Sequence, residues 1–207
     1  MNKITTFNKI NYPDKLLKIK EHAIKTKVPI VTDDTLTYLI KIIKLLNVKN
    51  VLEIGTAIGY SAISLAFNSD VSIDSIEKNE TSFNIALKNI RECNLTDKIR
   101  VFHNDALDIE LKSLNSKYDL IFIDAAKAQM RKFFEKFSKL LSPNGVIIID
   151  NLNFHGLVYG EEPIKSKDLK SLVRKIAEFN LWLSQNEDFE TYFFSIGDGL
   201  AISKRKK

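Results

Sequence analysis

Apolar positions in this chain recur with two periods that alternate through its middle. Short near-continuous runs of Val, Ile, Leu and Phe give way to longer stretches whose apolar residues stand three and four apart, the signatures of buried strands and amphipathic helices. The runs predict strands over Asn50–Ile54, Val71–Ile76, Ile99–Phe102, Tyr118–Ile123 and Gly145–Ile149. Between them the helical spacing covers Tyr60–Phe67, Glu80–Cys93, a short piece near Ile109–Leu114, and Gln129–Leu141. Strands apolar on both faces and separated by helices make a parallel sheet with helices on either side.

Both ends of the chain break this rhythm. Upstream, Pro13-Asp14 opens a helix through Lys27, and Asp33 or Asp34 caps a second one that carries Leu36, Leu39, Ile40, Ile43 and Leu46 on one side. Downstream, after a helix near Lys167–Phe179, Phe189–Ser195 alternates aromatic and polar residues. Gly197-Asp-Gly199 then makes a turn and Leu200–Ser203 returns as a hairpin. The expected fold is α/β: N-terminal helices, a mostly parallel sheet of seven strands, and a C-terminal antiparallel hairpin. With 207 residues, 44% hydrophobic and no linker-like tract, one domain is expected over 1–207. Its parts are a helical extension (1–48), an α/β body (49–203) and a basic tail (204–207).

Two predicted strands end in acids, in Asp119-Leu-Ile-Phe-Ile-Asp124-Ala-Ala-Lys127 and Val146-Ile-Ile-Ile-Asp150-Asn151. Open parallel sheets bind ligands at the carboxyl ends of their strands. If these two strands are neighbours, Asp124, Asp150 and Asn151 form an all-oxygen cluster suited to a hard divalent cation, with Lys127 beside it as a base. A glycine turn lies upstream, in Val51-Leu-Glu53-Ile-Gly55-Thr-Ala-Ile-Gly59-Tyr60-Ser61. Its G-x-x-x-G spacing is not the dinucleotide fingerprint, yet Gly55 permits close backbone approach to a ligand and Gly59 a tight passage into the helix. Glu53 ends the first strand, where it can accept from a cationic amino group. Glu77 follows the second strand, where acids hold a ribose diol, and Asp105-Ala106 follow the third, where they can line an adenine pocket.

Charge and the remaining chemistry-bearing residues add less. Residues 1–49 carry ten lysines against four acids (+6), and Lys204-Arg-Lys-Lys207 adds +4; as the whole is +5, residues 50–203 carry −5. A basic flank on an acidic body favours a phosphate-backbone partner, although exposed lysines also simply solvate a surface. Arg131, Lys132, Lys165 and Lys167 are candidates to meet phosphates near a pocket mouth. His22 and His103 read as structural or exposed, His155 as a neighbour of the substrate pocket, the Phe189–Phe194 aromatics as core, and Cys93 as packing. One cysteine permits no internal disulfide, no stretch is long enough to span a membrane, and Met1–Phe7 lacks the apolar core of a secretory signal, so a cytoplasmic protein is expected.

Glu-x-Gly-x-x-x-Gly-Tyr-Ser, then Asp-x-x-Lys, then Asp-Asn resembles the cation-dependent O-methyltransferases, the S-adenosylmethionine family of the catechol and caffeoyl-CoA enzymes. The likeness spans about residues 29–203. Within that family Val28-Pro-Ile30, Leu52–Ile63, Phe122–Lys127, Asp150–Val158 and Ile196–Gly199 look most like the bacterial tRNA 5-hydroxyuridine branch. The resemblance implies a Rossmann-like class I methyltransferase fold with S-adenosyl-L-methionine and Mg²⁺ as cofactors. It implies that Val31, Glu53, Gly55, Thr56, Gly59, Tyr60, Ser61, Glu77, Asp105, Ala106 and Asp124 surround the cofactor. Asp124, Asp150 and Asn151 would ligate the metal, and Lys127 with Asp124 would be catalytic. A homodimer is implied by analogy. The implied substrate is 5-hydroxyuridine in tRNA, at the wobble position; the alternative is a small catechol-like or caffeoyl-CoA-like molecule. The two share one chemistry, because a 5-hydroxyuracil and a catechol both present a hydroxyl next to a second oxygen.

Overall fold

The computed structural model describes residues 10–160, 164 and 166–207. Two helices, α1 (Asp14–Thr26) and α2 (Asp33–Leu45), precede an alternation of β1 (Asn50–Ile54), α3 (Tyr60–Asn68), β2 (Ser72–Glu77), α4 (Glu80–Glu92), β3 (Ile99–His103), β4 (Tyr118–Ile123), α5 (Met130–Phe137) and β5 (Leu141–Ile149). Helix α6 (Lys167–Ser184) and the hairpin β6 (Phe189–Phe194) and β7 (Leu200–Arg205) complete the chain. The sheet order is β3-β2-β1-β4-β5-β7-β6. All pairs are parallel except those of β7, which runs antiparallel to both β5 and β6.

Side chains alternate between the two faces of the sheet, and each face has its own core. Val51, Ile73, Leu120, Phe122, Val146 and Ile148 meet α1, α2 and α3, so the N-terminal helices share a core with the body. Leu52, Ile54, Ile121, Ile123, Ile147 and Ile149 meet α5 and α6 on the other side.

Several boundaries move from those the spacing predicts. Thr32, not Asp33 or Asp34, caps α2, its side chain accepting from the Thr35 amide. The helix expected over Gln129–Leu141 is shorter, a 3₁₀ turn (Lys127–Gln129) leading into α5 and a second one (Ser138–Leu140) leaving it. The one expected near Ile109–Leu114 is a single 3₁₀ turn, Leu111–Ser113. Helix α6 runs five residues beyond Phe179, because Leu183 continues its apolar stripe. Strand β5 starts at Leu141, four residues early, across an irregularity in its pairing with β4.

The C-terminal basic flank lies at the end of the sheet opposite the candidate ligand site. Ala201 pairs with Ile149 and Lys204 with Val146, so β7 carries its basic end away from the strand tips. At about 3.3 Å per residue the tail leaves the sheet more than 13 Å from Asp150. There Arg205 donates to the Ser138 carbonyl and Lys206 to that of Asn186. Among the described residues no helix is long and apolar enough to cross a membrane.

Candidate active site

A cavity of about 1030 Å³ opens over the tips of β1, β2, β4 and β5, where the strand order reverses at the β1/β4 pair and parallel folds leave a crevice. The loop before α2 (Val28–Thr32) walls one side, the loop after β5 (Asn151, Phe154, His155) the other, and Gly197-Asp198 of the hairpin turn sits between them.

The glycine turn is shaped by crowding. Gly55 has φ +103°, and a Cβ there would lie 2.2 Å from the carbonyl oxygen of Asp124. Only a residue without a side chain lets β1 and β4 come this close. Backbone pairing continues past both strand ends, with Gly55 N donating to Ile76 O (3.0 Å) and Asp124 N to Ile54 O (3.0 Å). Ala57, also left-handed at φ 47°, turns its amide onto the Glu77 carboxylate at 2.8 Å. The Asn79 amide binds the other Glu77 oxygen at 2.8 Å. Each oxygen has a second lone pair for a ligand hydroxyl, so Glu77 is braced and still able to accept.

Val31, Gly55, Tyr60, Ser61, Glu77, Asp105, Ala106 and Asp124 all line this cavity. Glu53, Thr56 and Gly59, assigned to the cofactor by the motif, do not. Strand β1 ends at Ile54, and the period of two turns Glu53 beneath α3. There it is fully buried, accepting from Ser61 Oγ and Ser75 Oγ, both at 2.5 Å, while Thr56 Oγ1 bonds Ser75 Oγ at 2.6 Å. Burial raises the Glu53 carboxyl to about 7 against these hydrogen bonds. Its link to the cavity runs through Ser61. Gly59, at φ +84°, is the N-cap of α3 and faces Ala86 of α4.

The acid-ended strands are neighbours, as their sequence reading requires: Ile123 pairs with Ile149, which brings Asp124, Asp150 and Asn151 to adjacent tips. Lys127 Nζ donates to Asp124 Oδ1 at 2.9 Å and also to Asn151 Oδ1. Asp150 is 1% exposed. One of its oxygens accepts from the Asn151 amide at 2.8 Å, and the other is buried without any hydrogen-bond partner. Burial, reinforced by the charge of Asp124, pushes its carboxyl up to about 7. A buried carboxylate oxygen left unpaired is costly unless something binds it. Two carboxylates and an amide oxygen, one oxygen unpartnered, fit a hard divalent cation.

Two residues that hold the site escaped the sequence reading. Asp198 lines the cavity and accepts the His155 amide at 2.6 Å through Oδ1; an acid between two glycines, in a segment of family likeness, is the available signal, and it assigns the side chain no role. Lys136 on α5 donates to the carbonyls of Leu107 and Ile109, both at 2.6 Å, bracing the loop that carries Asp105-Ala106; burial lowers its pKa. Nothing in its local pattern marks it.

The remaining candidates scatter. His155 stands exposed at the cavity mouth, His22 lies exposed on α1, and His103 stacks on Phe83. Arg131, Lys132 and Lys167 are exposed and off the cavity wall, Arg131 pairing with Glu135. Lys165 and Met1–Phe7 lie outside the described residues. Cys93 and Phe189 are buried, whereas Tyr192 and Phe193 are about half exposed, so the hairpin aromatics are core only in part.

An O-methyltransferase family model matches residues 7–206 of the chain. The caffeoyl-CoA O-methyltransferase of Populus kitakamiensis is 34% identical over 81% of this chain and 74% of its own length. A Staphylococcus aureus protein provisionally named a caffeoyl-CoA O-methyltransferase superposes with a TM-score of 0.88 at 39% identity, covering 94% of this chain and 93% of that one. An O-methyltransferase from Bacillus cereus, solved in complex with SAH, superposes with a TM-score of 0.83 at 27% identity over 99% and 96% of the two chains.

Proposed function

The chain belongs to the O-methyltransferase family, and from that premise we propose that it moves the methyl group of S-adenosylmethionine to a hydroxyl lying beside a second oxygen on a small phenolic acceptor. The observation that carries the reading is the convergence of Asp124, Asp150 and Asn151 at adjacent strand tips, Asp124 and Asn151 on the cavity wall and Asp150 buried beside them with an unpartnered oxygen.

Glu77 would hold the cofactor's ribose, Asp105 and Ala106 would flank its adenine, and Tyr60-Ser61 at the start of α3 would face its amino-acid end. Asp124, Asp150 and Asn151 would hold Mg²⁺, which when bound stabilises the acceptor as its oxyanion and templates its two oxygens. The transfer breaks the methyl–sulfur bond and makes a methyl–oxygen bond in line. Lys127 Nζ, standing between Asp124 and Asn151, is placed to take the hydroxyl proton. The walls contributed by Val28–Thr32 and the loop after β5 would hold the reactants together, which for a well-oriented pair supplies on the order of 7–11 kcal/mol.

The caffeoyl-CoA names of the relatives support a small acceptor. A second reading, 5-hydroxyuridine in tRNA, is favoured by the lysine-rich first 49 residues and the net charge of +5. The C-terminal tail, at the far end of the sheet, lends it little. Transfer of labelled methyl from S-adenosylmethionine to catechol, caffeoyl-CoA and tRNA carrying 5-hydroxyuridine, with Mg²⁺ and with EDTA, tests both. A vicinal-oxygen small molecule is expected to be methylated only with metal, at a rate nearly independent of salt. Methylation of tRNA alone, weakening steeply with salt, would replace the first reading by the second. Full turnover in EDTA would remove the cation from both.

A further inference from the structure

The loop that carries Asn151 turns through four left-handed residues, one of which, Phe154, is of a type that does not favour that conformation. Asn151, Phe154 and His155 are left-handed at φ 62°, 45° and 57°, followed by Gly156 at φ 80°. Asn and His tolerate this region, but two side-chain-bearing residues in a row, one of them Phe, hold it only where surroundings support it. The surroundings here are two residues of the β6–β7 turn, more than 40 positions away. Leu152 N donates to Gly199 O at 2.9 Å, Asn153 N to Asp198 O at 2.9 Å, and His155 N to Asp198 Oδ1 at 2.6 Å. The first two bonds are backbone pairs that any residue could make. The third belongs to the Asp198 side chain.

The turn is in turn wedged against the start of α2. A Cβ on Gly197 would lie 2.3 Å from Thr35 Oγ1, and one on Gly199 would lie 2.8 Å from Asn153 N. Asp198 therefore stands on a seat fixed from both sides, between the wall that holds Val31 and the loop that holds Asn151.

We propose that Asp198 is a positioning residue for the cation site. Its carboxylate, by capping the His155 amide, holds the loop in the conformation that presents Asn151 Oδ1 beside Asp124 and Asp150. The inference rests on the cation reading above. It assigns Asp198 no contact with cation or acceptor; what matters is an acceptor atom at the Oδ1 position, not a negative charge.

Mn²⁺ affinity of the full-length protein, measured by electron paramagnetic resonance of the free ion, separates these roles, with SAH affinity as the check on folding. Asp198→Asn keeps an acceptor at that position and removes the charge; its Mn²⁺ affinity is expected to stay close to that of the unmodified protein. Asp198→Glu keeps the charge and displaces the acceptor by a methylene, and Asp198→Ala removes both. These two are expected to bind Mn²⁺ on the order of 10–100-fold more weakly, as loss of a residue that orients a metal ligand does, with SAH affinity retained. The reverse pattern, a weak Asn variant and a tight Glu variant, would make the charge itself the contribution and overturn the proposal. Equal Mn²⁺ affinity in all three would overturn it as well. If the unmodified protein binds no Mn²⁺, the cation reading itself falls, an outcome distinct from either.

Discussion

On the β1 and β2 side of the site, the wall carboxylate Glu77 and the buried Glu53 beneath α3 are both satisfied from within the chain. Glu53 accepts from two serine hydroxyls and Glu77 from two backbone amides. In the half built from β4, β5 and the hairpin turn, Asp150 and Asp198 each keep a buried oxygen without a hydrogen-bond partner, and three side-chain-bearing residues are left-handed. The first half is a preformed cradle whose hydrogen bonds need no reorganisation when a ligand arrives. The second is stable only with help, some from the distant hairpin and some from whatever binds Asp150. One cavity thus combines a finished cofactor side with an acceptor side left to be completed.

The sharpest way to break that contrast is to remove one carboxylate from each half. Asp150→Ala is expected to lower methyl transfer on the order of 10³-fold while SAH binds nearly as before. Glu77→Ala is expected to do the reverse, weakening SAH on the order of 10–100-fold through a lost charge-assisted hydrogen bond and sparing Mn²⁺. Calorimetric titration of each variant with SAH and with Mn²⁺ reads both effects. If either variant loses both ligands, the halves are not independent.

Titration sharpens the contrast next. Asp150 and Glu53, ordinarily at 3.8 and 4.5, are both pushed up to about 7 in the folded chain. Between these limits the folded protein holds protons that the unfolded chain has released. The unfolding free energy of the metal-free protein should therefore fall as pH rises from about 4 to about 7, by a few kcal/mol. Urea unfolding across that range measures it. Asp150→Asn should flatten the slope, and Mg²⁺ at pH 8 should recover the Asp150 share but not that of Glu53, whose oxygens are already taken. A stability that rises through the same interval would contradict the assignment of both groups.

The smallest of the three effects comes where the halves meet. Gly55→Ala must accommodate a Cβ 2.2 Å from the Asp124 carbonyl at φ +103°. It should cost about 2–3 kcal/mol in urea unfolding and push the β1 and β4 tips apart. Because Asp124 borders both halves, SAH and Mn²⁺ binding should weaken together, unlike in the single-carboxylate variants.

Much of this was legible before folding. Strands β1 and β4 run over the residues their apolar runs predict, and Asp124, Asp150 and Asn151 stand at strand tips because a polar residue closes each run. Glu53 does not stand at the strand tip: Ile54 is the last residue of β1, and alternation sends the acid under α3. Asp198 reads from sequence as part of a turn in a segment of family likeness, with no role of its own, because the loop it braces lies more than 40 residues upstream. The tail counted towards a basic flank until the antiparallel pairing of β7 carried it to the far end of the sheet.

The sequence by itself determined the order of elements, the two-faced burial of the strands and the residues left at their ends. These are properties of chain periodicity, written into neighbours a few positions apart. Tertiary structure alone decided which ends meet. That depends on the strand order and on β7 entering beside β5, and no local pattern encodes either. The β5–β7 pairing sets Asp198 against the Asn151 loop, and the β4–β5 pairing brings Asp124 beside Asp150, one of whose buried oxygens has no partner within the chain.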